Sequence, residues 1–187
     1  SRAVRASVSH MSGTHHAVLT AIGADRPGLV DEVSRFVSER GGNLEDSRMV
    51  NLHGQFVIMM LVEGSGQVME KLRAELDALA VKSRIHVELT SADMGRATTS
   101  AALPFRLTTR AMDHPGLVQS VAHALRAMNV NIESAETTLQ SAPITGAPLF
   151  AMEFVVSVPT ATPVAELREA LGRLCDDLNI DWQLTAL

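Results

Sequence analysis

The stretch Asp25-Arg26-Pro27-Gly28-Leu29-Val30 returns as Asp113-His114-Pro115-Gly116-Leu117-Val118, and this repetition constrains the fold before any local propensity is weighed. The interval (113 minus 25 gives 88), set in a chain of 187 residues, selects two small domains over a single ordinary one. Both copies sit between an apolar strand-like run and a helix-like run, so the motif reads as the turn that opens the first helix of each domain. Domains of this size bury only about 60% of their unfolded surface, so association with each other or with a second chain is expected.

In the first repeat, Val18, Thr20 and Ile22 alternate as a strand. Leu29, Val30, Val33, Phe36 and Val37 then follow helical spacing, with Pro27 suited to the first turn and Gly41-Gly42 to the stop. Residues 43–50 and 56–62 form a hairpin, with Phe56, Ile58, Met60 and Val62 on one face of the returning strand and Val57, Met59 and Leu61 on the other. Apolar residues at both parities predict that both faces are covered. Val68, Leu72, Leu76 and Leu79 mark a second helix, and residues 84–89 alternate as a fourth strand. The order β-α-β-β-α-β is that of a ferredoxin-like α+β fold, an antiparallel sheet with two helices on one face and the first and third strands central.

The second repeat follows the same order, with a helix stripe of Leu117, Val118, Val121, Leu125 and Met128. Its hairpin is longer and carries two prolines between 140 and 148, and its sheet is expected to be wetter, because Glu153 and Ser157 interrupt the third strand. The domains are placed at 16–91 and 104–187. Residues 92–103 read as a linker and 1–15 as an unfolded tail or a cloning remnant, Ser9-His10-Met11 having the look of a junction before a start methionine.

Composition narrows the function. A net charge of −5 offers no field for a phosphate backbone, and no apolar run approaches the ~20 residues of a membrane helix, so neither direct nucleic-acid binding nor a membrane span is expected. The single Cys175 lies beside a helical apolar stripe and reads as a buried structural thiol, which points to the cytoplasm. No nucleophile with its base, phosphate loop, dinucleotide motif or metal-ligand spacing appears, so neither an enzyme nor a cofactor is expected. The adjacent His15 and His16 point to opposite sides of an extended chain, and no metal is read there.

The repeated turn is the candidate site. A helix start presents unpaired amide hydrogens and a positive dipole end, a seat for a carboxylate. Gly28 and Gly116, lacking Cβ, leave room for a ligand or a neighbouring backbone, or else serve the turn alone. Asp25 and Asp113 accept backbone amides ahead of the helix or contact a ligand. Arg26 and His114 occupy the same place as solvated loop residues or as ligand contacts.

Two β-α-β-β-α-β units, each with Asp-x-Pro-Gly-Leu-Val after the first strand and Asn after the first helix (Asn43 and Asn131), resemble the ACT domain family of small-molecule-binding regulatory modules. A tandem of two such units resembles the glycine cleavage system transcriptional repressor group, whose members act on gene regulation through a protein partner. The resemblance implies a non-enzymatic regulator that binds an amino acid at domain interfaces near the turn and the strand after the helix, and the small domains are expected to associate as a homodimer. Position by position it implicates Asp25, Arg26, Gly28, Leu29 and Asn43, with Asp113, His114, Gly116, Leu117 and Asn131 in the second copy. The alternatives are a protein-interaction module without ligand, with the 140–148 hairpin as contact, or a ferredoxin-like hydrolase. Acylphosphatases share the topology, but here Asp and Pro stand at the junction where they carry a glycine-rich anion loop.

Overall fold

The computed structural model describes residues 13–92, 101–142 and 146–187; most of the expected tail, most of the linker and the tip of the long hairpin lie outside these ranges. The chain forms two compact units. The first contains β1 (His15–Ala24), α1 (Leu29–Ser38), β2 (Asn43–Leu52), β3 (Gln55–Gly64), α2 (Gly66–Ser83) and β4 (His86–Ala92). The second repeats the order with β5 (Ala102–Met112), α3 (Leu117–Ala127), β6 (Asn131–Ser141), β7 (Pro148–Pro159), α4 (Val164–Leu178) and β8 (Asp181–Ala186). Each sheet is antiparallel, in the order β2-β3-β1-β4 and β6-β7-β5-β8, so the first and third strands of each repeat are central. This is the ferredoxin-like α+β arrangement, twice.

One face of each sheet makes the core with the two helices. In the first unit Ala17, Leu19 and Ala21 of β1 and Phe56, Ile58, Met60 and Val62 of β3 meet Leu29, Val33, Phe36 and Val37 of α1 and Met69, Leu72 and Leu79 of α2. Each fully buried Leu or Val contributes about 1.5–3 kcal/mol of transfer free energy, and together such contacts fix the strand register. In the second unit Cys175 is buried among this core, and desolvation, then the neighbouring Asp176, pushes its thiol up to about 11, as suits a packing residue.

Among the described residues all four helices stop in the same way. A residue in the left-handed conformation follows the last turn, and the next amide donates back six residues to one. Gly41 (φ 84°) precedes Gly42 N–H donating to Val37 O at 3.1 Å, and Asn129 (φ 56°) precedes Val130 N–H donating to Leu125 O at 2.9 Å. Arg84 (φ 54°) and Asn179 (φ 52°) do the same for α2 and α4. Arg84 is thus a helix terminator, and the fourth strand begins at His86, later than the alternation of residues 84–89 predicts.

The helix-free faces differ. On the first sheet Val57 and Leu61 are half-buried while Met59 is 50% exposed, so its own unit leaves the second apolar face of β3 only partly covered. On the second sheet Arg106, Thr108 and Arg110 stand where Val18, Thr20 and Ile22 stand on the first, and Arg106 Nε pairs with Glu153 at 3.1 Å.

Candidate functional site

The turn between β1 and α1 is held from behind. Asp25 N–H donates to Gly54 O at 2.8 Å, and Asn51 Nδ2 donates to the Asp25 carboxylate at 2.5 Å, so the hairpin tip grips the turn by backbone and side chain. The Asp25 side chain does not cap the helix. Gly28 is the N-cap, with φ 92° and no side chain to accept from the first-turn amides, whereas Ser65 accepts from Val68 N at the start of α2. A Cβ on Gly28 would come no nearer than 3.8 Å to Glu32, and one on Gly116 (φ 95°) would meet nothing within 4 Å. Their dihedral makes these glycines necessary, and the space beside them is open.

That space is a hollow of about 540 Å³ lined by Asp25, Arg26, Gly28, Leu29 and Val30 with Met49, Asn51 and Phe56. Leu29 contributes only its backbone side, since its side chain is buried in the core. Val30 departs from its expected place in the helix stripe: it is 42% exposed and faces the hollow instead. Val118 is exposed in the same way in the second repeat.

Arg26, though it lines the hollow, is engaged by its neighbours. Its Nη1 and Nη2 each lie 2.8 Å from a Glu32 oxygen, and Nη2 also reaches Ser83 O at 3.3 Å, tying the turn to the end of α2. The Ser83 hydroxyl donates to Glu32 as well, at 2.6 Å. Hydrogen bonds from Arg26 and then Ser83 lower the Glu32 carboxyl to about 2. The same hydrogen bonds, which the Arg26 guanidinium donates to Glu32, raise the guanidinium above its ordinary value.

Asn43 is not part of this site. It lies at the opposite end of β2, where its Nδ2 donates to Glu63 at 3.3 Å. Asn51, Met49 and Phe56, which sequence reasoning missed, complete the hollow. The signal that could have found them is the direction of the chain: α1 carries it away from the turn and β2 returns it.

In the second repeat Asp113 N–H donates to Pro148 O at 3.1 Å, reproducing the backbone grip. The side chains diverge. Leu139, paired with Phe150, stands where Asn51 pairs with Phe56, and His114 Nδ1 lies 3.1 Å from Pro115 O, which it meets only as a donor. Gly116 starts α3 uncapped, Leu117 is buried in the core, and Asn131 donates to Glu133 at 2.7 Å, remote from the turn.

His16, Glu45 and Glu63 bring three potential metal-ligating atoms within 4.8 Å of one another. No residue spacing announces them, because they come from three separate strands. No helix among the described residues is long and apolar enough to cross a membrane.

The ACT domain family matches residues 15–90. The glycine cleavage system transcriptional repressor of Escherichia coli (strain K12) is 30% identical over 184 residues, covering 95% of this chain and 93% of the repressor. A UPF0237 protein of Methanopyrus kandleri is 37% identical over 83 residues, 43% of this chain and 92% of that protein, in keeping with a unit that also occurs alone. A crystal structure of an unknown protein from Galdieria sulphuraria superimposes with a TM-score of 0.78 at 25% identity, covering 94% of this chain and 99% of that one. The chain, a tandem of two ACT domains, therefore belongs to the family of the glycine cleavage system transcriptional repressor.

Proposed function

We propose that this chain is a non-enzymatic regulator that binds an amino acid at the first repeat's turn and, as a homodimer, modulates a protein partner in transcriptional control of glycine cleavage. The observation that carries the reading is the uncapped start of α1 opening onto the hollow. Its first-turn amides suit an α-carboxylate, the Asp25 carboxylate suits an α-ammonium, and Val30 and Met49 supply apolar walls for a small side chain. Arg26 is engaged by Glu32, which argues against the anion hydrolysis of the hydrolase alternative.

Isothermal titration of the full chain against glycine, serine and the remaining amino acids tests this. Binding of at least one, weakened in Asp25→Asn, is expected; no heat with any of them removes the sensing half. A second reading, a protein-interaction module without ligand, then takes its place. It is favoured by β2, an edge strand exposed along its whole length with Met49 60% accessible, which offers an unpaired edge to another chain.

A further inference from the structure

β2, β3 and β1 lie side by side, and each sends one donor group to the helix-free face at the end of the sheet remote from Asp25. His16 and Glu63 are cross-strand partners, alternating with the buried Ala17 and Val62. Glu45 is the extra residue of a β-bulge between Leu44 and Asp46, and from there it reaches over β3 to His16.

The spacing suits an ion. Two ligand atoms on one tetrahedral Zn²⁺, each about 2.0–2.2 Å from it, stand about 3.4 Å apart. His16 Nε2 and Glu45 Oε2 are separated by 3.3 Å, and all three donors lie within 4.8 Å, a gap that small movements of the two carboxylate arms close. Asn43 Nδ2 holds Glu63 from behind at 3.3 Å, the orienting bond that metal-ligating carboxylates usually have. Among the described residues no Lys or Arg forms an ion pair with Glu45 or Glu63, so two carboxylates share one imidazole.

The second repeat shows the same backbone without this chemistry. Its bulge is retained, with Glu133 between Ile132 and Ser134, but Pro104 pairs with Ser157 where His16 pairs with Glu63. Glu133 is satisfied locally: Asn131, and then Ser157, donate to it and hold its carboxyl below the usual range. The bulge alone therefore does not require three converging donors. Their convergence is particular to the first repeat.

We propose that His16 Nε2 and the Glu45 and Glu63 carboxylates form a binding site for a divalent first-row metal ion. One imidazole and two carboxylates suit Zn²⁺, and also Mn²⁺ or Ni²⁺, and three protein ligands leave coordination positions for water. Ala24 at the turn lies eight positions along β1 from His16, about 26 Å along a strand, so the site stands apart from the proposed amino-acid site.

Equilibrium dialysis of the full chain against micromolar zinc chloride, followed by metal analysis, tests the proposal. A parallel Co²⁺ titration read in the visible region reports coordination by protein ligands. One ion per chain is expected, with none retained at the same concentration by Glu63→Gln or Glu45→Gln, about tenfold weaker binding in Asn43→Ala, and unchanged binding in Glu133→Gln. Circular dichroism of the metal-free variants establishes that they are folded, and His16→Gln replaces any that is not. Absence of bound zinc, or retention undiminished in the folded variants, overturns the site.

Discussion

The two repeats share a backbone and differ in what they mount on it. Both start their first helix on a glycine near φ 90°, both grip the turn through the aspartate amide, and both place a bulged glutamate after the first helix. In the first repeat that frame carries Asn51 on Asp25, Arg26 on Glu32 and Ser83, and a carboxylate-imidazole cluster. In the second, Leu139, His114, Ser120 and Leu178 occupy the corresponding places, and a glutamate is satisfied by Asn131 and Ser157. The features that recur are those that the chain path requires. The features that do not recur are the ones free to carry function.

The comparison can be broken most directly at the carboxylates. Asp25→Asn removes a charged partner for an ammonium group, worth about 1.5–3 kcal/mol, so amino-acid affinity should fall roughly tenfold to a hundredfold while Asp113→Asn leaves it unchanged. Titration calorimetry on both variants checks this, and equal losses would erase the distinction between the repeats.

The shared frame gives the opposite expectation. Gly28→Ala and Gly116→Ala each force a Cβ into left-handed backbone and should each cost about 1–2 kcal/mol, with no difference between the copies. Urea denaturation measures it. An unchanged midpoint for either variant would mean that the turn relaxes instead.

Thr109 sharpens the contrast in the other direction. Its Oγ1 is buried without a hydrogen-bond partner, at the place where the first repeat has Ala21. Thr109→Val should stabilise the protein by about 1 kcal/mol, read as a higher denaturation midpoint, because the unmet hydroxyl is removed and the volume kept.

The smallest effect concerns acid. The folded Glu32 carboxyl sits at about 2, below its ordinary 4.5, so it favours the folded state above pH 4.5, and that contribution is lost as pH falls toward 2. Glu32→Gln should flatten this limb of the stability profile, followed by denaturant midpoints between pH 5 and 2.5. The second repeat, with Ser120 there, has no counterpart.

The repeat interval made the fold readable, because one motif in constant register located strand, turn, helix and helix exit in both copies. Helix ends were less so: Gly41-Gly42 announces a stop, while Arg84 adopts the same left-handed conformation without any such signal. Of the residues read from the sequence, Asp25 and Gly28 line the hollow proposed as the site, and Asn43 lies away from it. A helix of ten residues carries the chain about 15 Å from the turn, so the residue beginning the next strand is remote and the one ending it, Asn51, is near. Arg26 could not be read as engaged, since Glu32 lies six residues away and Ser83 belongs to another helix. The cluster of His16, Glu45 and Glu63 depends on a bulge and a strand order that no local spacing encodes.

The central claim, that the first turn binds an amino acid and the second does not, is tested most directly by amide chemical shifts of ¹⁵N-labelled protein during titration with the amino acid that gives heat in calorimetry. Saturable shifts are expected at Gly28, Leu29, Val30 and Asn51, with Gly116, Leu117 and Val118 unmoved. Shifts confined to the second turn, or equal at both, would contradict it.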